Sequence, residues 1–371
     1  MKKTLIALTL AALPVAAMAD VTIYGNIRAG FYNHSTKQGD AGRKSINTVD
    51  DFGSYVGFKG SEDVAGGLKA IWQVETGIFA DQADPKGSAW ASRDTFIGLE
   101  GGFGKVRAGY VRSQFGENMG DVDAWEYTNN TADGYTTANG LGIFTRTDVR
   151  MANAVRYDSP TWAGFDFNVT HGLDEMRRDA KREGNAYVTV LGLNYQNSGY
   201  FAKYGFGYYN DSYRNDSGDL KAGQAHRLEL GYNANNLLAV LAYQYTKGFA
   251  DRNQVATGIK VDDSDNLKAS ELGFTVGYTF GAITPKVTYM HGFKAKNVNG
   301  GDKLDNSKYD QVILGADYAL SKRTTAMFNV GYLNQGTGAL GAVTDPNAGV
   351  STSDKPKIKT YSIGVGMRHL F

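Results

Sequence analysis

The stretch Thr360-Tyr361-Ser362-Ile363-Gly364-Val365-Gly366-Met367-Arg368-His369-Leu370-Phe371 alternates with a period of two. Successive side chains of an extended chain point to opposite faces. Tyr361, Ile363, Val365, Met367 and Phe371 therefore share one side, and Thr360, Ser362, Gly364, Gly366 and Arg368 the other. One face is oily, and the other is small and polar. The same split recurs at Leu272, Phe274, Val276, Tyr278 and Phe280 against Glu271, Gly273, Thr275, Gly277 and Thr279. It recurs again at Val312, Leu314, Ala316 and Tyr318 against Gln311, Gly315 and Asp317. No long stretch keeps its apolar residues at the 3.6 spacing of a buried helix face.

About sixteen such segments can be placed, beginning near residues 21, 54, 68, 93, 105, 153, 164, 186, 200, 226, 238, 270, 283, 310, 325 and 358. Membrane strands need roughly 9–11 residues, which leaves about half of the chain for connections. Tight connections (Gly66-Gly67, Gly101 to Gly104, Asn233 to Asn236, Ser321 to Arg323) alternate with long polar ones at 33–53, 113–149, 172–185, 210–224, 247–269, 294–308 and 334–356. Short turns alternating with long loops, on an even strand count, mark a transmembrane barrel. The expected fold is an all-β, transmembrane antiparallel barrel of about sixteen strands. In hydrocarbon a sheet satisfies its backbone only by closing, so Val21-Thr22-Ile23-Tyr24 should pair with the last strand. Tyr24, Tyr157, Tyr195, Tyr232, Tyr245, Phe280, Tyr318 and Phe371 sit toward the ends of oily faces, where aromatic girdles form. The competing arrangement is a soluble sandwich. It fits poorly, because the opposite face is rich in Gly, Thr, Arg, Asn and Asp and the long loops all fall on one side.

Composition narrows the function. With 39 basic and 38 acidic side chains in 371 residues, the chain lacks the basic footprint of a nucleic-acid binder. It has no Cys, so disulfides contribute nothing. Residues 1–19 read as a secretory signal: Lys2 and Lys3, the apolar run Leu5 to Leu13, and the small-x-small site Ala17-Met18-Ala19. That run is too short to span a bilayer. Residues 20–371 then form the barrel. The five His are isolated, which gives a zinc site little support. Asp262-Asp263-Ser264-Asp265 lacks the Gly and closing Glu of a calcium loop, there is no G-x-S-x-G, and no cofactor is expected.

Several motifs together resemble a known family, the trimeric general-diffusion porins of Gram-negative outer membranes, in particular the neisserial and other β-proteobacterial ones. Asp20-Val21-Thr22-Ile23-Tyr24-Gly25 looks like the family's opening strand, and Gly57 to Asp63 followed by Gly67 to Glu75 like its second hairpin. Arg93 to Leu99 and Gly104 to Gly109 match the next pair. The terminal Phe371 matches the signal read by the barrel-assembly machinery. The likeness covers the whole chain. It implies a homotrimer in the outer membrane, surrounded by its lipid, with a third loop folded into the lumen and small hydrophilic solutes and ions as cargo.

Charge supplies the candidate site. On the polar parity of the early strands lie Arg28, Lys59, Lys69, Arg93, Arg107, Arg150 and Arg156. The 113–149 connection carries Glu117, Asp121, Asp123 and Glu126, and its start, Ser113-Gln114-Phe115-Gly116-Glu117, resembles the family's constriction-loop motif. Folded inward, it would set carboxylates opposite a basic ladder and leave a polarised aqueous slot. Tyr55 stands where the family often has Arg, so the ladder does not transfer whole. The expected function is a passive, weakly anion-preferring channel without a covalent step. Two alternatives stay open: a sugar- or phosphate-selective channel, favoured if Phe115, Trp125, Tyr127, Tyr135 and Phe144 line the slot, and an adhesin or receptor acting through its loops.

If the leader is removed after Ala19, mass spectrometry of the outer-membrane protein will find Asp20 at the N-terminus. A mature chain that keeps Leu5 to Leu13 would refute the export argument.

Overall fold

A computed structural model describes residues 20–38, 43–81, 90–125, 138–148, 150–173, 187–215, 217–248, 267–298, 301, 303, 305, 307–336 and 357–371. The expected leader lies outside them. Sixteen strands form one closed antiparallel ring. They are β1 (Asp20–Gln38), β2 in two segments (Lys44–Asp51 and Tyr55–Asp63), β3 (Lys69–Gly77), β4 (Thr95–Gly101), β5 (Gly104–Arg112), β6 (Arg150–Asp158), β7 (Phe165–Gly172) and β8 (Val188–Asn197). The ring continues through β9 (Tyr200–Arg214), β10 (Leu220–Ala234), β11 (Leu237–Lys247), β12 (Leu267–Tyr278), β13 (Ile283–Gly292), β14 (Tyr309–Ala319), β15 (Thr324–Gln335) and β16 (Ile358–Leu370). β1 pairs with β16 from Asn26↔Leu370 to Gln38↔Ile358, which closes the ring. Phe371 completes the seam: its N–H donates to the Gly25 carbonyl at 3.1 Å and its carbonyl accepts from the Gly25 N–H at 3.0 Å.

The alternation read from β16 governs the wall. Thr360 and Ser362 are buried on the inside, while Ile363, Val365 and Met367 are about half exposed outside. Ile97, Leu193, Leu241, Phe274, Leu314 and Phe328 extend the outer apolar surface around the ring. Such a surface is far larger than soluble proteins tolerate and suits a bilayer. Of the aromatic residues expected in the girdles, Tyr24 departs. It turns into the lumen, where its hydroxyl donates to Glu75 Oε2 at 3.0 Å. Tight hairpins close one end; at Asn235-Asn236 both residues take positive φ, 50° and 65°, matching the twist of a two-residue turn.

Two expected loops are largely strand. Of 33–53, residues 33–38 continue β1 and 44–51 form the first segment of β2. Most of 210–224 prolongs the β9–β10 hairpin. The physical reason is length. The 19 residues of β1, at about 3.3 Å each, far exceed an apolar band roughly 25 Å tall. Beyond that band both faces meet water, so backbone pairing continues while the oily alternation stops. The two segments of β2 meet at a bulge. β1 pairs Ala29 with Asp51 and Asn26 with Tyr55, so β2 carries one extra residue and switches parity there. Asp51 holds the bulge by accepting the Gly53 N–H at 2.7 Å.

Removing Phe371 deletes the last rung of the seam. Pulse-chase with a heat-modifiability gel will show slower insertion for the deletion variant. Unchanged kinetics would separate this residue from barrel assembly.

Candidate functional site: the lumen and its inward loop

The connection after β5 turns into the barrel. Its first turn is a short helix, α1 (Gln114–Glu117), which the wall grips directly. Gln114 Nε2 donates to Asn194 Oδ1 at 2.7 Å, and Asn168 Nδ2 donates to Gln114 Oε1 at 2.6 Å. The loop then crosses to the far wall. The Val122 carbonyl accepts from Thr275 Oγ1 at 2.5 Å, Trp125 Nε1 donates to Thr288 Oγ1 at 2.8 Å, and Lys286 Nζ donates to the Ala124 carbonyl at 2.5 Å. On its return path the Ala138 N–H donates to Ser362 Oγ at 3.1 Å, and Gln311 Nε2 donates to the Gly140 carbonyl at 2.7 Å. Gly331 permits this approach, since a Cβ there would lie 2.1 Å from the Ala138 carbonyl oxygen.

An apolar seam lies beneath the loop. Val122, Trp125, Leu141, Ile143 and Phe144 pack on Phe201, Val240, Met290, Ile313 and Leu333, all buried. At about 1.5–3 kcal/mol for each large side chain, the loop's five residues contribute on the order of 10 kcal/mol before ordering entropy. Phe115, Trp125 and Phe144 are 0%, 2% and 1% exposed. They are packing groups, so for these three the condition that would favour a sugar-selective slot is not met. Tyr127 and Tyr135 lie outside the described residues.

Buried charge fixes the two ends of the loop. Arg107 and Arg156 face each other across β5 and β6, and carboxylates bridge these like charges. Arg107 Nη2 reaches Glu117 Oε1 at 2.9 Å and Asp158 Oδ2 at 2.8 Å, while Arg156 Nη2 reaches Asp158 Oδ1 at 2.6 Å and Asn118 Oδ1 at 2.7 Å. At the other end Arg146 Nη1 donates to Glu271 Oε1 at 2.6 Å, and Arg227 Nη1 stands 2.7 Å from Asp148 Oδ1. Lys203 pairs with Asp121.

A second arginine pair on the same two strands is wetter. Arg112 and Arg150 are also in register, and Asp94 lies between them, 3.3 Å from Arg112 Nε and 2.9 Å from Arg150 Nε. Arg93 pairs with Glu75 and lies over the Tyr55 ring, 4.5 Å from its centroid. Glu75 is also 3.9 Å from Arg150. These five groups form one connected cluster of three cations and two anions.

The expected ladder therefore divides. Arg93 and Arg150 stand together. Arg107 and Arg156, 4% and 0% exposed, lie under the loop base. Arg28 belongs to the β2 bulge, where its Nη2 donates to the Gly53 carbonyl at 3.2 Å. Lys59 lies over the Tyr24 ring and Lys69 opposite Glu100, both toward the short-turn end. On the acidic side, Glu117 and Asp121 are engaged as described, Asp123 Oδ1 accepts the Trp125 N–H at 3.4 Å, and Glu126 lies outside the described residues. Sequence reasoning missed Arg112, Glu75 and Asp94, and the far-wall anchors Lys203, Arg227, Glu271 and Lys286. Alternation offered a signal: Arg227 sits between His226 and Leu228 on the parity that β10 turns inward.

The chain matches the Gram-negative porin family model over residues 23–358. It is 41% identical to the major outer membrane protein P.IB of Neisseria sicca, with all of both chains covered. Among solved structures it resembles an anion-selective porin from Comamonas acidovorans, with TM-score 0.67 and 21% identity over 95% of this chain and all of the other. It also resembles the trimer form of OmpT from Vibrio cholerae, with TM-score 0.61 and 16% identity over 95% and 99% of the two chains.

Replacing Glu271 by Gln leaves the Arg146 guanidinium buried without its charge partner, a loss of about 3–5 kcal/mol for such pairs. Loop docking will loosen, seen as faster trypsin cleavage within 113–149 and noisier single-channel current. Wild-type protection and noise would show that this pair does not hold the loop.

Proposed function

The chain belongs to the Gram-negative porin family and forms a water-filled outer-membrane channel, and on that premise we propose where its solutes pass and what they meet. The passage runs between the inward loop, held against β7 to β16, and the wall of β1 to β6. Its narrowest part lies beside the cluster of Arg93, Arg112, Arg150, Glu75 and Asp94. Arg28 lines the wall at the β2 bulge and Lys59 and Lys69 toward the short-turn end, and Glu117, Asp121 and Asp123 carry the acidic side along the loop. Arg107 and Arg156 act as loop anchors that set the width of the slot.

Small hydrophilic solutes and ions cross down their gradients, with no bond made or broken. The observation that carries this reading is the partly exposed arginine cluster, with side chains of Arg112, Arg150 and Arg93 exposed by 34%, 19% and 16%, against loop carboxylates already engaged by Arg107 and Lys203. Cations outnumber anions at the narrowest part by one, so the channel prefers anions weakly. Two charges about 4 Å apart interact by roughly 1 kcal/mol in water and about 4 kcal/mol at an effective dielectric of 20, and a wet slot lies nearer the first. Phe115, Trp125 and Phe144 are buried, so these three give no aromatic lining of the kind a sugar-selective slot would use. Three copies assemble side by side, as in the Vibrio trimer form, after the barrel-assembly machinery has read the terminal Phe371.

Planar-bilayer recording tests this directly. Wild-type channels should close in three equal steps and show a reversal potential on the anion side in dilute KCl. That preference should fade as the screening length falls from about 30 Å at 0.01 M to about 3 Å at 1 M. The double variant Arg93→Glu/Arg150→Glu should move the reversal potential toward cations at low salt. A double variant with the parent's reversal potential would place the constriction elsewhere.

A further inference from the structure

A second concentration of charge lies outside the lumen, at the loop end of β11 to β13. Five lysines, Lys268, Lys294, Lys296, Lys303 and Lys308, border a cavity of about 680 Å³ there. The sheet register makes this more than a scatter of surface charge. Lys247 pairs with Lys268, Lys268 with Lys296, and Lys296 with Lys303, so four lysines stand side by side on successive segments. Like charges placed directly opposite destabilise a sheet. Among the described residues, the one carboxylate within ion-pair reach of the cavity lysines is Asp305, 2.6 Å from Lys294 and itself 88% exposed. The four-lysine row itself meets no carboxylate among the described residues.

Its orientation and depth indicate what supplies a counter-charge. Gln244 and Glu271 point into the barrel and are buried, so Tyr245, Lys247, Lys268 and Ser270, on the opposite parity, face outward. Tyr245 pairs with Ser270, and the Phe293 N–H donates to the Ser270 carbonyl at 3.0 Å. This places two aromatic rings in one outward row, the arrangement that marks the hydrocarbon edge. Lys247 and Lys268 each lie two residues beyond that row, about 7 Å further toward the loops. That is headgroup depth. Long loops mark the outer side of such barrels, so the lysines meet the outer leaflet.

We propose that this cavity binds the phosphate groups of a phosphorylated saccharide headgroup in the outer leaflet. Ammonium groups are compact multi-donor partners for phosphate oxygens, and a basic pocket at headgroup level is suited to an anionic lipid. Tyr245 and Phe293 form its floor, where sugar gives way to acyl chain. Soluble polyphosphates share the phosphate chemistry, but they have no reason to collect on a face turned to lipid.

The test places the full-length mature protein in nanodiscs of phosphatidylcholine doped with bisphosphorylated lipid A, with the dephosphorylated form, or with neither, and counts retained glycolipid by native mass spectrometry. A third arm adds soluble tripolyphosphate. Wild type should retain the bisphosphorylated lipid and release the dephosphorylated one. At about a fivefold change in affinity per headgroup-facing lysine, the variant Lys247→Gln/Lys268→Gln/Lys296→Gln should retain it roughly 100-fold more weakly. Heat-modifiability and conductance equal to wild type will confirm that the variant barrel is intact, and the single variant Lys268→Gln serves if the triple one does not assemble. Equal retention by wild type and variant overturns the proposal, as does equal retention of the two lipid forms. Tripolyphosphate binding without lipid retention overturns the headgroup assignment.

Discussion

A peptide group in hydrocarbon has no water to fall back on. Each N–H and C=O left unpaired there costs several kcal/mol, and every other feature of this molecule follows from avoiding that cost. The ring of sixteen strands leaves no edge. It also fixes the two faces of every strand, because a continuous register forces alternate side chains outward and inward all the way around. Lipid contact is thereby assigned to one parity and water contact to the other, before any particular side chain is considered. The bulge at Asp51 to Ser54 shows how tightly this holds: one extra residue shifts the parity of β2, and Phe52 before it and Tyr55 after it both face inward.

A hole lined only by that rule would be wide and featureless. The inward loop removes the excess width by a soluble-protein strategy carried out inside a membrane protein. Its apolar residues bury against a half-wall that offers Phe201, Met290, Ile313 and Leu333 in place of polar groups. Its ends are held by arginines whose charge is met by Glu271, Asp148, Glu117 and Asp158. Because these pairs lie in a desolvated space, breaking one partner costs far more than an exposed ion pair is worth. The described parts of the loop are thus held fast against the barrel wall, and the charges facing water are mostly those the anchoring did not consume.

Much of this was legible in the residues. Strand positions could be read wherever a strand crosses hydrocarbon, because there the two faces must differ; the start of β16 was read at 358 and β13 at 283 as observed. Strand ends were not legible in β1, β9 and β10, since a strand that rises into water on both faces loses its alternation. The site was half legible for a related reason. Parity places Arg107 and Arg156 alike on the inner face, but it cannot tell a group covered by the loop from one left open, and it fails at Arg150, because β6 carries an extra residue between Met151 and Ala154. Aromatic residues in the loop have the same ambiguity, for Trp125 would look identical whether it lined the slot or packed beneath it. Only the far wall decides, and its residues are more than a hundred positions away.

The seam between β1 and β16 has a kinetic consequence. Its partners, such as Gly25 and Phe371, stand near opposite ends of the sequence, so closure joins the most distant contacts among the described residues. Contacts of such separation form late, because the entropy of the intervening loop must be lost first. Until the final residues are available, any partly built sheet carries two raw edges and an oily face, which is the species most prone to stick to its neighbours. A chain of this design must be kept from folding in water until it is complete, and its order of synthesis therefore sets no order of assembly.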